Sequence, residues 1–145
     1  MNCERLKRLA VLLEGYRDSD ETRFDLQIWG KFKSQRAGFL WLNQRPCNTA
    51  ACAVGFACSS GIFAEDGLSY ELDKTNMELT PLFRDLEGWG AVKSFFDLDQ
   101  VQAVRLFAEH SYESTEGEAG ARAVAERIRK MIAPLDGSTQ KPQKL

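Results

Sequence analysis

Apolar residues recur at intervals of three and four positions near the start of the chain. The stripe consists of Leu6, Leu9, Ala10, Leu13 and Tyr16. This spacing places the apolar side chains on one face of a helix, so it predicts an amphipathic α-helix over residues 3–16. Gly15 and the polar run Asp18-Ser19-Asp20 are predicted to end this helix.

A second stripe of the same kind lies near the end of the chain. It consists of Ala121, Val124, Ala125, Ile128 and Ile132. The spacing predicts a helix over residues 118–133, and we expect Pro134 to end it because proline interrupts helical hydrogen bonding. Residues 136–145 are rich in Ser, Thr, Gln, Lys and Pro, a composition that predicts a disordered tail.

Residues 48–60 are rich in small side chains. These are Ala50, Ala51, Ala53, Gly55, Ala57, Ser59 and Ser60. We predict a helix with Asn48 or Thr49 as its N-cap and with Gly61 ending it in the left-handed conformation. A glycine within a helix costs about 1 kcal/mol relative to alanine, so Gly55 indicates that neighbouring elements approach closely. We therefore expect this helix to be central, with the two terminal helices packed against it.

Apolar and polar residues alternate after the turn signal Asp66-Gly67. The alternation covers Leu68–Leu72, and it resumes at Met77 and Leu79 after a polar loop. This pattern predicts a β-hairpin. The earlier segment Phe24–Trp29 also alternates, but it fits a short strand and a helical turn equally well.

A helix-capping signal stands close to residue 97. Asp97 and Gln100 have the spacing of a capping box, so we predict Asp97 as the N-cap of a helix that runs to Glu109. Phe96 and Val101 would then take the two positions of a hydrophobic staple.

These elements predict a mainly α (α+β) fold of four to five helices with one small β-hairpin. The chain has 145 residues, which suits a single domain, and we place that domain at residues 1–135. The sequence begins without a long apolar stretch, so we expect no secretory signal, and it contains no run of the roughly 18 apolar residues that a membrane span needs. We therefore expect a cytoplasmic protein without a membrane partner, and its four cysteines are expected to be thiols.

The charge pattern argues against a nucleic-acid partner. The formal net charge is −2, and acidic and basic residues are interspersed. The strongest basic cluster is Arg122, Arg127, Arg129 and Lys130, with Glu118 and Glu126 among them at stabilising i,i+4 positions. We interpret the cluster as a solvated helix face, since a nucleic-acid binder concentrates basic residues on one surface.

The segment Cys47–Cys58 is the strongest candidate for chemistry. If Asn48 is the N-cap, Cys47 and Cys52 take the staple positions and their sulfurs lie close together. If Thr49 is the N-cap, Cys52 moves by one position. In both registers Cys52 lies at the start of the helix, where the helix dipole favours a thiolate.

Several interpretations of these candidates stay open. Cys47 and Cys52 are small apolar fillers, a reversible thiol–disulfide pair, or metal ligands. The spacing counts against a metal, because zinc sites favour short Cys-x₂₋₄-Cys pairs and Cys58 lies about 240° around the helix from Cys52. We therefore expect no metal and no cofactor. His110, the only histidine, could also form a nucleophilic pair with Cys52, although a lone histidine at a helix end is usually a surface residue.

The cysteine segment also resembles a motif of small bacterial and phage proteins. The motif is Cys-x-Thr-x-x-Cys-x-x-Gly-x-Ala, which residues 47–57 follow. In that group an aromatic-Asp-hydrophobic-x-x-Trp segment comes earlier, like Phe24–Trp29. Later come a Phe-x-Leu segment and a Leu-Phe pair, like Phe96–Leu98 and Leu106-Phe107. Many relatives have Gly after the first Cys, where this chain has Asn48. The group has no assigned activity, so the resemblance implies a bacterial or phage-related origin and no mechanism.

The sequence thus favours a non-enzymatic accessory or interaction protein, bacterial or prophage-related, for which an unknown protein partner is possible. The alternative is a thiol-dependent redox protein that uses Cys47 and Cys52. A third hypothesis is an enzyme with a Cys52/His110 site. The partner, any ligand and the oligomeric state stay open.

Overall fold

Helices and short strands share the described part of the chain. The computed structural model describes residues 1–17, 22–24, 30–32, 49–72 and 78–136. Its helices are α1 (Cys3–Glu14), α2 (Ala53–Ser60), α3 (Gly88–Phe96), α4 (Gln100–Phe107) and α5 (Gly117–Asp136). Two short 3₁₀-helices, Ala64–Asp66 and Glu109–Ser111, follow α2 and α4. The predicted mainly α, α+β fold is confirmed.

Two three-stranded sheets complete the described elements. The first contains β1 (Thr22–Phe24), β2 (Gly30–Phe32) and β3 (Thr49–Ala51). In it, β3 lies in the middle, parallel to β1 and antiparallel to β2. The second is antiparallel, in the order β4 (Leu68–Leu72), β5 (Leu79–Phe83) and β6 (Leu86–Glu87). Only the second sheet contains the hairpin that the sequence predicts.

The predicted hairpin is confirmed as β4 and β5. Leu68 pairs with Phe83 at one end and Leu72 pairs with Leu79 at the other. Leu68, Leu79 and Phe83 are buried, so the alternating pattern marks the side of the sheet that faces the core. The earlier alternating segment begins in a strand, since Phe24 ends β1, and residues 25–29 lie outside the described residues.

The predicted helix over residues 48–60 begins later than expected. Thr49–Ala51 forms β3, which is paired on both sides. These pairings join distant parts of the chain and override the local helix propensity of the alanines. The N-cap of α2 is Cys52, and neither of the two predicted residues caps it. Gly61 ends the helix with a φ of 80°, as predicted.

The N-cap predicted at Asp97 is wrong, because Asp99 caps α4. The capping-box spacing occurs twice in the sequence, first from Asp97 to Gln100 and again from Asp99 to Gln102. The Gln102 N–H donates to the Asp99 carboxylate at 2.8 Å, and the Asp99 N–H donates to the Gln102 side chain at 3.0 Å. Asp97 instead ends α3, with a φ of 56° in the left-handed region.

The burial of the neighbouring apolar residues explains this choice. With Asp99 as N-cap, the two staple positions fall at Leu98 and Ala103, which are both buried. Val101, which the sequence predicts as a staple residue, is 64% exposed. The register that buries more apolar surface is the one that forms.

The end of α5 also differs from its prediction. Pro134 lies inside the helix, which continues to Asp136. A proline this close to the C-terminus removes a donor only from the last turns, where helix ends fray in any case. The predicted disordered tail falls almost wholly on residues 137–145, which lie outside the described residues.

The described helices share one hydrophobic core. The apolar stripes of α1 and α5 are buried, as predicted, except that α1 ends at Glu14 and Tyr16, which follows it, is half-buried. However, α5 packs chiefly against α1, β1 and α4, so the expectation that both terminal helices pack on the small-residue helix is wrong for α5. The central position of α2 is confirmed, since Ala53, Val54 and Ala57 are buried and α2 contacts α1, β4 and β5. No helix in the described part is long and apolar enough to cross a membrane.

Candidate functional site

Cys52 lies at the junction of β3 and α2, inside the core. It is 3% exposed, and its sulfur accepts a hydrogen bond from the Gly55 N–H at 3.5 Å. The sulfur therefore takes the capping role that the sequence predicts for Asn48 or Thr49. Cys47 lies outside the described residues, so the predicted proximity of Cys47 and Cys52 stays a prediction.

Cys58 is the second buried thiol of this segment. It is 6% exposed, and its sulfur donates to the Ser69 carbonyl oxygen of β4 at 3.5 Å. Burial, and to a smaller extent the neighbouring Cys52, raise the pKa of the Cys58 thiol well above its ordinary value. A protonated thiol is a poor nucleophile, so this environment favours a structural role for Cys58.

His110 lies at the surface, unlike the buried thiols of Cys52 and Cys58. It belongs to the 3₁₀-helix Glu109–Ser111 and is exposed. The imidazole therefore faces solvent while the Cys52 sulfur is enclosed in the core. Catalysis by Cys52 and His110 stays a prediction.

The basic cluster on α5 is only partly the solvated face that the sequence predicts, because Arg129 and Lys130 are exposed whereas Arg122 and Arg127 are half-buried. Arg122 donates to the carbonyl oxygens of Leu13 and Tyr16, both at 3.0 Å. These carbonyls lie at the C-terminal end of α1, where helix geometry leaves acceptors unsatisfied. Arg129 makes two hydrogen bonds to the Glu14 carboxylate, at 2.7 and 2.8 Å.

Arg127 has a similar role at the end of α4. Its guanidinium donates to the Arg105 and Ser111 carbonyl oxygens, at 3.0 and 2.7 Å. It also lies 4.1 Å from the centre of the Tyr112 ring, in cation–π geometry. Burial raises the pKa of Tyr112 to about 12, and its hydroxyl donates to the Leu106 carbonyl oxygen at 2.7 Å. The arginines of α5 thus hold neighbouring helices together, which leaves them poorly placed to bind phosphates.

Two further arginines, on α1, are fixed around one carboxylate. The Asp66 carboxylate accepts from Arg5 Nε at 3.3 Å and from Arg8 Nη1 at 3.1 Å. Arg5 also donates to the Phe95 carbonyl oxygen at 2.7 Å, and Arg8 donates to the Ile62 carbonyl oxygen. The Arg8 guanidinium lies 4.7 Å from the centre of the Phe63 ring. These contacts hold Arg8 in one orientation beside Ile62.

An open apolar cavity lies beside Arg8 on the outer side of α1. Its volume is about 600 Å³, and its lining residues are Lys7, Arg8, Val11, Leu12 and Ile62. We call it the α1 cavity. Val11 is 60% exposed, which is unusual for a large apolar side chain among the described residues. The apolar stripe of α1 faces the core, so Val11 projects from the opposite side of the helix.

The sequence does not predict this cavity. Val11 lies outside the apolar stripe, and Ile62 comes from the turn after α2, about fifty residues later in the chain. The one signal in the sequence is that two apolar residues, Val11 and Leu12, lie outside the apolar stripe of the first helix.

A second groove lies between α1 and α5, with a volume of about 420 Å³. Its charged residues already have partners. Glu14 pairs with Arg129, Glu126 pairs with Lys130 at 3.7 Å, and Arg122 donates to the Leu13 and Tyr16 carbonyl oxygens. Its apolar lining residues are Ala125 and Ala133, which are smaller than those of the α1 cavity, so the groove is a weaker candidate for binding an apolar side chain. Within the described ranges, no group of three His, Cys, Asp or Glu residues is placed to hold a metal ion.

Comparison with protein families, curated proteins and solved structures gives no match to this chain.

Proposed function

We propose that this chain is a non-enzymatic interaction protein that binds a helix of another protein in the α1 cavity. The observation that carries the proposal is the exposed Val11 beside an open, apolar cavity formed with Leu12 and Ile62. Its cytoplasmic location and its bacterial or prophage origin belong to the same proposal. The cytoplasmic location is supported by the free thiols of Cys3, Cys52 and Cys58, because disulfides are rare in the cytosol. The bacterial or prophage origin is supported by the motif resemblance.

The shape and chemistry of the cavity support a protein partner. The apolar face of an amphipathic helix carries separate side chains that project from its axis. One such side chain can enter an open cavity of this volume. Burying one valine-sized side chain contributes about 1.5–3 kcal/mol. The cavity wall is also preorganised, because Arg8 is held by Asp66, by the Ile62 carbonyl and by the Phe63 ring. A fixed wall reduces the entropy lost on binding.

The described thiols favour a binding role over thiol-dependent catalysis. Cys52 caps α2 through the Gly55 N–H, and Cys58 is buried with a raised pKa. Both sulfurs thus have structural partners inside the core. The alternative of a redox pair between Cys47 and Cys52 depends on Cys47, which lies outside the described residues.

The test uses the full chain and two matched variants. Val11→Gln removes the exposed apolar side chain of the cavity without changing the charge. Val101→Gln does the same on α4, where Val101 is 64% exposed. The wild-type chain is first used to capture proteins from a bacterial lysate. Mass spectrometry then identifies those captured proteins that the control variant Val101→Gln also retains. Calorimetry finally measures the affinity of the purified partner for wild type and for each variant.

We expect Val11→Gln to bind the purified partner about tenfold more weakly, which corresponds to about 1.4 kcal/mol. Val101→Gln should bind with the wild-type affinity, and both variants should keep the wild-type melting temperature. Equal binding by wild type and Val11→Gln would overturn the proposal.

A further inference from the structure

We draw no further inference here: the strongest candidate, the surface patch of α1 around Lys7, Arg8 and the exposed Val11, belongs to the site already described, and nothing in the structure shows what covers it.

Discussion

Glu14 and Arg129 form a two-point ion pair that joins the first helix of the chain to the last. Arg129 Nε lies 2.7 Å from Glu14 Oε2, and Arg129 Nη2 lies 2.8 Å from Glu14 Oε1. Both residues are partly exposed, so solvent screens the pair. The Arg129 hydrogen bond is the main reason that the pKa of Glu14 lies below its ordinary value.

A depressed carboxyl pKa links this pair to the pH dependence of stability. The contribution of Glu14 is complete above the unfolded carboxyl pKa of about 4.3, and it is lost as the pH falls through the lower folded pKa. Glu14→Gln should therefore reduce the free energy of unfolding by about 0.2–1 kcal/mol at neutral pH, with a smaller deficit in acid. Urea unfolding of both proteins across this pH range measures the difference. A deficit that is the same at all pH values would show that the ion pair is not its cause.

A glycine of α5 permits close packing against β1. A Cβ at Gly120 would lie 2.8 Å from the Thr115 carbonyl carbon and 3.1 Å from Phe24 Cδ1. Gly120→Ala should therefore destabilise the protein by about 1–3 kcal/mol, although alanine is the better helix former. Gly90→Ala in α3 is the control, because its Cβ would meet only Leu86 atoms at 3.8 Å. Thermal unfolding should show a lower melting temperature for the first variant and an equal or higher one for the second. A rise for Gly120→Ala would contradict the packing of Phe24 on α5.

Substitutions at Asp99 and Asp97 test directly which of the two residues caps α4. Asp99→Ala removes the side chain that accepts from the Gln102 N–H, and should cost about 1 kcal/mol. Asp97→Gly should cost less, since Asp97 is in the left-handed conformation that glycine adopts without strain, and the ion pair that it loses with the N-terminal ammonium of Met1 is exposed to solvent. Chemical denaturation of the two variants compares these effects. The opposite order would indicate that Asp97 is the cap, as the sequence alone predicts.

The buried thiols should react slowly. In a Cys3→Ser/Cys47→Ser background, we expect iodoacetamide to modify Cys52 and Cys58 only as fast as the protein unfolds. Both side chains are buried, and burial raises the pKa of the Cys58 thiol, which lowers its thiolate fraction at neutral pH. Mass spectrometry of the alkylated peptides over time measures the two rates. Rapid labelling of Cys52 in the folded protein would revive the thiol-redox alternative.

Local patterns in the sequence predict the helices and the hairpin well. The stripes of α1 and α5 and the alternation of β4 depend on neighbouring residues, and the structure buries or half-buries these positions. The sequence repeats one capping signal at Asp97 and Asp99, and only the burial of Leu98 and Ala103 decides between them. Where two registers satisfy the same local rule, tertiary packing selects one.

The other differences arise from contacts between distant parts of the chain. Thr49–Ala51 is a strand because β1 and β2 lie on either side of it. Arg122 reaches the Leu13 carbonyl oxygen across 109 positions of sequence, so its role as a helix-end partner has no local signature. The α1 cavity likewise needs Ile62 to meet Val11 and Leu12. The candidate site is therefore a product of the fold, and the cysteine motif does not point to it.

The most direct test of the central claim is a two-dimensional amide NMR titration of the full chain with the purified partner. If the partner binds in the α1 cavity, we expect binding to shift the amide signals of residues 7–12 and of Ile62. We expect these shifts to disappear in Val11→Gln. Shifts confined to the groove around Glu126 and Lys130, or to His110, with the signals of α1 unchanged, would contradict the claim that this cavity is the binding site.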